Sequence, residues 1–141
     1  MFQAKIVSND QEYKDAVAVR RKVFVYEQKV PESLEIDEHE SNAIHFVVYD
    51  GIEPIGAGRC RESDNYYKVE RICVLPSRRK QGIGMKIMKK IEEYAKEHGA
   101  TGLKLNSQTH AVEFYQRLGY LAISEEFMEA GIPHIAMKKP L

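Results

Sequence analysis

Cysteine, charge of one sign and long apolar runs are what this sequence has little of. Its two cysteines, Cys60 and Cys73, are too few for a disulfide framework or a cysteine metal site. A reduced, cytoplasmic setting is therefore expected. Basic and acidic residues both number 21, so no overall field favours nucleic acid or an anionic membrane, and local patches decide instead. No apolar run approaches the roughly 18 residues of a membrane span, and the N-terminus lacks a signal-peptide core. The P-loop pattern is absent, and Gly82-Ile83-Gly84 does not continue into a dinucleotide fingerprint because position 87 is Ile. Repeats, low-complexity tracts and interdomain linkers are missing too. At 141 residues the chain reads as one domain, 1–141.

What is present is organised around Val69–Met88. Val69, Ile72, Val74 and Leu75 supply β-forming bulk, and Pro76 ends the ladder by removing a backbone donor. Gly82 and Gly84 then permit a turn or a close backbone approach. Behind them Ile83, Ile87, Ile91, Tyr94 and Ala95 keep helical spacing on one face, with Lys96, His98 and Gly99 suiting the helix C-terminus. Arg78, Arg79 and Lys80 stand at the positive end of that helix, where each exposed cation costs roughly 0.3–1 kcal/mol. A bound anion reverses the sign of each cost. Free N–H groups, permissive glycines and cations together describe a phosphate or pyrophosphate site, set against the alternative of a solvated basic turn.

Elsewhere, Phe2–Val7 suits a strand, and Asn9 with Glu12 three residues on suggests a capped helix through Tyr13, Ala16, Val17, Arg20, Val23 and Phe24. Its end blurs over Tyr26–Gln28 before Val30-Pro31. The next stretch, 32–42, gathers Glu32, Glu35, Asp37, Glu38 and Glu40. It reads as a solvated acidic loop or short helix, or as a rim attracting a cationic acceptor. His39 within it fixes no ligand spacing, so no metal is expected. Ile44–Tyr49, an Asp50-Gly51 turn and Pro54–Arg61 form a hairpin, with Gly56 and Gly58 marking a bulge or a close approach. Tyr66–Leu75 and Gly102–Asn106 are further strands. Ser107 or Thr109 can cap a short helix ending at Gly119, and Tyr120–Ser124 and Ile132–Met137 finish the chain as strands around 125–131. The order β-α-(α)-β-β-β-α-β-α-β-β implies an α/β fold with a mixed sheet.

Arg79-Lys80-Gln81-Gly82-Ile83-Gly84, preceded by Val74-Leu75-Pro76, resembles the R-x-x-G-x-G/A signature of the GNAT N-acetyltransferase superfamily. A second stretch, Leu105–Tyr120, is similar to that family's strand and A-x-x-F-Y-x-x-x-G-[FY] helix. Together with the element order, the resemblance covers essentially the whole chain. It implies the GNAT acyl-CoA N-acyltransferase fold and acetyl-coenzyme A as cosubstrate, with no metal. The pyrophosphate would lie on Arg79–Gly84 and the pantetheine arm along Ile72, Cys73 and Val74. A backbone N–H near Val74 would face the thioester oxygen, with Asn106 and Gln108 near the arm. Gln108 stands where family members often carry Asn, which alters the contact there.

The resemblance casts Tyr115 as the general acid for the leaving thiolate. A phenol near pKa ~10 gives its proton to a thiolate whose conjugate thiol lies near ~8.5 only uphill, so a hydrogen bond to the thiolate suits it better, with full transfer late or through water. Its alternative is a core aromatic beside Phe114 and Tyr120. Glu70 and Glu27 are the general-base candidates, Glu70 having the alternative of a salt bridge to Arg59, Arg61 or Arg71; His110 and His134 rank below them. Cys73 reads as core, with a mixed disulfide to coenzyme A as a lesser possibility. The acceptor implied is a primary amine, small molecule or protein, with a cation slightly favoured. The rival is a non-catalytic acyl-coenzyme A sensor, and either a monomer or a homodimer is compatible.

Overall fold

The computed structural model describes every residue from Met1 to Leu141. Its strands are β1 (Phe2–Ile6), β2 (Ile44–Asp50), β3 (Glu53–Ser63), β4 (Tyr66–Val74), β5 (Gly102–Gln108), β6 (Leu121–Ala122), β7 (Phe127–Glu129) and β8 (Ile132–Pro140). The helices are α1 (Asp10–Arg20), α2 (Glu32–Glu35), α3 (Ile83–Glu97) and α4 (Val112–Arg117). One sheet runs in the order β1-β2-β3-β4-β5-β8-β6, with β7 also on β8. Only β4 and β5 are parallel, so the sheet is mixed, as the element order implies.

Tight turns set the antiparallel registers. Gly51 takes φ 63° in the β2–β3 turn and Asp64 φ 58° in the β3–β4 turn, left-handed values that glycine and aspartate tolerate best. A third turn, Ala130-Gly131, joins β7 to β8 with φ 51° and 75°. The segment 125–131, read from sequence as a connection, thus contains a short strand. The preceding strand shrinks to Leu121–Ala122, and the last one extends to Pro140.

α3 covers one face of the sheet. Ile83, Ile87, Ile91 and Ala95 are buried there, each large side chain adding about 1.5–3 kcal/mol of burial. The close approach expected at Gly56 and Gly58 is real. A Cβ on Gly56 would stand 2.9 Å from Ile83 Cγ2, and one on Gly58 2.6 Å from Ile72 Cδ1 and 3.1 Å from Ile87 Cγ2. The ladder shifts register nearby in two places. The second lies opposite Gly58, where β4 carries the extra residue and Arg71 adopts φ 61°.

α1 packs on the other face over β2, β3 and part of β4. Asn9 caps it, accepting the Glu12 N–H at 2.8 Å, while Glu12 reaches back to the Ser8 N–H at 2.8 Å. The helix then widens over Arg21–Glu27 into a π turn, with Gln28 N–H donating to Val23 O at 2.9 Å. This widening is the blurred end seen in the sequence.

The acidic stretch opens with the short helix α2, and Glu32 and Glu38 are exposed, but its other three carboxylates are not solvated. Glu35 is 1% exposed and receives Arg20 Nε at 2.7 Å, while Glu40 receives Arg20 Nη1 at 2.7 Å and Arg59 Nη1 at 2.6 Å. Asp37 receives Arg59 Nη2 at 2.8 Å, and both guanidiniums are fully buried. Glu35, Asp37 and Glu40 are the counter-charge for arginines of α1 and β3, not a rim that draws in a cation. Burial alone would raise the Glu40 carboxyl, but hydrogen bonds from Arg20 and Tyr13 bring it down to about 2. Burial likewise opposes ionisation of Asp37, and Arg59 outweighs it, again to about 2.

Two outcomes are expected. Arg20→Ala leaves Glu35 and Glu40 short of a partner and destabilises by about 3–5 kcal/mol in urea titration, against under about 0.5 kcal/mol for exposed Arg117→Ala. Because Asp37 and Glu40 titrate lower folded than unfolded, their stabilisation is complete above about pH 4.5 and declines as pH falls toward about 2. Circular dichroism against pH should place acid unfolding in that window for wild type and at higher pH for Arg59→Met.

Candidate active site

β4 and β5 pair from Tyr66↔Gly102 to Val69↔Leu105 and no further. β4 then continues to Val74 and β5 to Gln108, the latter still paired with β8. The two strands diverge into a wedge, leaving the β5-facing edge of Glu70–Val74 without a ladder partner. Such an edge is a row of donors and acceptors awaiting an extended chain.

A groove of ≈ 1190 Å³ follows the wedge. It is lined by Glu70–Val74, the turn before α3, the end of β5, α4, the π turn and residues 33–39. Of the site residues read from sequence, Glu27, Glu70, Ile72, Cys73, Val74, Arg79, Lys80, Gly82, Ile83, Gly84, Asn106, Gln108 and Tyr115 all line it. Gln81 does not; it is exposed beside the groove.

At one end lies the start of α3, which no side chain caps. Its first helical bond is Lys86 N–H to Gly82 O, so the N–H groups of Ile83, Gly84 and Met85 are free of intrahelical partners. The two glycines serve different needs. Gly82 takes φ 78° in open space, whereas a Cβ on Gly84 would meet the Phe114 ring at 3.2 Å, so Gly84 seats α4. The three cations also differ. Arg78 turns back to Asp50 at 2.8 Å and to Glu53, a structural tie to the β2–β3 turn. Arg79 holds Glu27 in a two-pronged pair at 2.6 and 2.8 Å, and Lys80 meets no carboxylate within 4.0 Å.

Midway, Tyr115 is 8% exposed, edge-on to Phe114 at 5.0 Å and to Tyr120 at 5.7 Å. The core reading and the groove reading hold together, because the ring is packed while the residue lines the cavity. Burial pushes its phenol above the ordinary value, which keeps the hydroxyl a donor. Cys73 is 5% exposed, and burial raises its thiol to about 12.

Glu70 accepts hydrogen bonds from Arg59 Nε at 3.2 Å and Arg61 Nε at 3.0 Å, with Lys68 Nζ at 3.7 Å. Burial works against its charge, but these cations prevail and hold it below the usual carboxylate range. That is the wrong direction for a base, and Glu70 matches the salt-bridge alternative. Glu27 is lowered as well, chiefly by its hydrogen bonds from Arg79.

Several neighbours carry no local sign in the sequence. Gln28 exchanges amide hydrogen bonds with Gln108 at 2.7 and 3.3 Å across 80 residues, and His110 adds a bond to Gln108 at 2.7 Å. Neither Ser107 nor Thr109 caps the following helix; a 3-10 turn, Thr109–Ala111, leads into α4, and Ser107 Oγ donates to Gln108 O. Arg71 donates to the carbonyls of Leu34 and Glu35 at 2.9 and 3.1 Å, pinning the β4 bulge to the acidic stretch.

The sequence and the fold have known counterparts. The model of the acetyltransferase (GNAT) domain family matches residues 7–141. The chain is a GNAT-family protein. Its relatives include uncharacterized N-acetyltransferase YjcF of Bacillus subtilis, 54% identical over 98% of this chain and 99% of that one. The crystal structure of Escherichia coli ElaA superposes with a TM-score of 0.87 at 25% identity, over 99% of both chains. A Bacillus subtilis acetyltransferase solved in complex with CoA shares the fold at a TM-score of 0.70 and 18% identity, over 100% of this chain and 99% of that one. Membership makes this GNAT domain an acyltransferase-type scaffold, and no helix in it is long and apolar enough to cross a membrane.

Burial of both GNAT-domain thiols has a direct consequence. Cys60 and Cys73, each raised to about 12, should stay unmodified by Ellman's reagent in the folded protein and react fully in urea. Intact mass after incubation with coenzyme A disulfide should show no mixed disulfide at Cys73.

Proposed function

We propose that this protein transfers the acetyl group of acetyl-coenzyme A to a primary amine by direct attack in a ternary complex. The observation that carries this reading is the wedge between β4 and β5, leading to an uncapped helix N-terminus beside Arg79 and Lys80. A long ligand, anionic at one end and amide-bearing along its length, is complementary to that combination.

In this reading the N–H groups of Ile83 and Gly84 bind the pyrophosphate, with Gly82 and Gln81 shaping the turn. Arg79 exchanges Glu27 for phosphate, and Lys80 supplies a second cation. The pantetheine amides complete the ladder along Ile72, Cys73 and Val74. Asn106 and the Gln108 amide hold the opposite wall; Asn106 Nδ2 now donates to Glu129 at 3.0 Å. A backbone N–H of the unpaired β4 edge polarises the thioester oxygen.

The amine nitrogen attacks the thioester carbon, the C–S bond breaks, and the sulfur leaves with the bonding pair. Tyr115 then donates a hydrogen bond to that thiolate. The amine proton leaves through water. Of the two candidate carboxylates, Glu27 is the better acceptor for it, since Arg79 can release Glu27 on taking phosphate, whereas Glu70 keeps three cations.

Calorimetry with coenzyme A and release of free thiol across an amine panel test the reading. Arg79→Ala should weaken coenzyme binding about 10–100-fold. Tyr115→Phe should lower kcat by about 10–100-fold with the KM for acetyl-coenzyme A little changed. Binding without turnover on any amine would make the protein a coenzyme A sensor, and absence of binding would sink both readings.

A further inference from the structure

The face of the sheet opposite α3 carries a row of like charges. Arg61 on β3 stands opposite Lys68 on β4, Lys68 opposite Lys104 on β5, and Lys104 opposite Lys138 on β8. Directly opposed residues project from the same face, so these cations stand abreast over about 14 Å of sheet. Like charges in that register oppose pairing of the strands.

Compensation is confined to one half of the row. Glu70 meets Arg61 and Lys68 but is shared with buried Arg59. Lys104 and Lys138 have no carboxylate within 4.0 Å. Their ammonium groups sit 4.6 and 4.7 Å from the centroid of the Tyr66 ring, a neutral partner. The next residue, Lys139, points to the other face and meets Glu92 of α3 at 3.0 Å. α1 covers the β2–β4 side only, and Lys104 is exposed.

The row adjoins the wedge. Lys68↔Lys104 is the rung just before the final β4–β5 pair, Val69↔Leu105. A hollow of ≈ 200 Å³ beside the row is lined by Tyr66, Lys68, Lys104, Leu105 and Asn106, and Lys68, Leu105 and Asn106 also line the main groove. Along β4 the distance from Lys68 to Glu70 or Ile72 is about 7–13 Å at ordinary strand rise. A second copy docking this face about a two-fold axis would bring cations against cations.

We propose that Lys68, Lys104 and Lys138 form an acceptor subsite for an anionic group. The amine that this protein acetylates then carries a carboxylate or phosphate about 7–13 Å from its nitrogen. The acceptor role rests on the acetyltransferase reading above; the affinity of the row for anions does not. It also reverses the sequence-based expectation of a cationic acceptor, because the carboxylates behind that expectation are bound to buried arginines.

The test compares ε-aminocaproate, its primary amide and aminopentyl phosphate as acceptors, for wild type and the double variant Lys104→Gln, Lys138→Gln. At low salt the wild type should prefer the carboxylate or the phosphate over the amide by about tenfold in kcat/KM, and the preference should shrink with added salt. Preference for one anion alone identifies which group the row accepts. In the double variant the acids and the amide should react alike. Equal rates in wild type, or a preference surviving in the variant, would overturn the subsite. NMR titration with inorganic phosphate is the independent readout, with shifts expected at Tyr66, Lys104 and Lys138 in wild type and lost in the variant. Absence of those shifts overturns the anion site whatever the turnover. Shifts without acetylation of any amine would keep the anion site and overturn both the acetyltransferase reading and the acceptor role of the row.

Discussion

Everything at the candidate site depends on the parallel pairing of β4 with β5 ending at Val69 and Leu105. The extra residue opposite Gly58 bends β4 there, and it requires Arg71 to hold φ 61°, a conformation costing a non-glycine residue about 1–3 kcal/mol. That cost is offset by Arg71 donating to Leu34 O, Glu35 O and Asp37 Oδ2. Glu35 and Asp37 are in turn held by Arg20 and Arg59. The buried ion network and the open edge of β4 are therefore one construction.

The same construction sets the chemistry. Arginines next to carboxylates keep those carboxylates charged and lowered, which suits a scaffold and ties Glu70 into its salt bridges. Tyr115 is shifted upward and stays a donor, and the two thiols are protonated bystanders. A site of this kind accelerates a reaction mainly by holding two reactants together and presenting donors to developing charge.

Much of this was legible because it is local. The helical period of α3, its closing Gly99, the Asn9–Glu12 cap and the Asp50-Gly51 turn each depend on residues within a few positions of one another. The glycine turn and the Phe114-Tyr115 helix were readable as motifs, and the family match confirms what they resembled. What stayed hidden is non-local. Glu35, Asp37 and Glu40 look like solvent-facing charge until Arg20, Arg59 and Arg71 are brought around them by the folding of α1 onto β3 and β4. The Gln28–Gln108 pair and the Glu27–Arg79 pair join residues 80 and 52 positions apart, beyond any periodicity. β7 was missed because three residues beside a two-residue turn leave almost no alternation to read.

The equality of acidic and basic residues misleads for the same reason. Neutrality of the sum says nothing about where the charges cancel. Carboxylates of residues 32–42 cancel guanidiniums on the α1 side of the sheet, at distances near 3 Å and largely out of water. Those carboxylates are then unavailable to Lys104 and Lys138 across the wedge, where only Tyr66 softens the repulsion. The field of the exposed Lys104 reaches about a Debye length, 8 Å at physiological salt, which covers the rung between the row and the opening of the wedge. A chain with no net charge thus presents a row of cations beside its groove. The segregation follows from the fold: the arginines needed inside to hold the β4 bulge draw the acidic stretch to one side and leave the lysines of β5 and β8 uncompensated on the other.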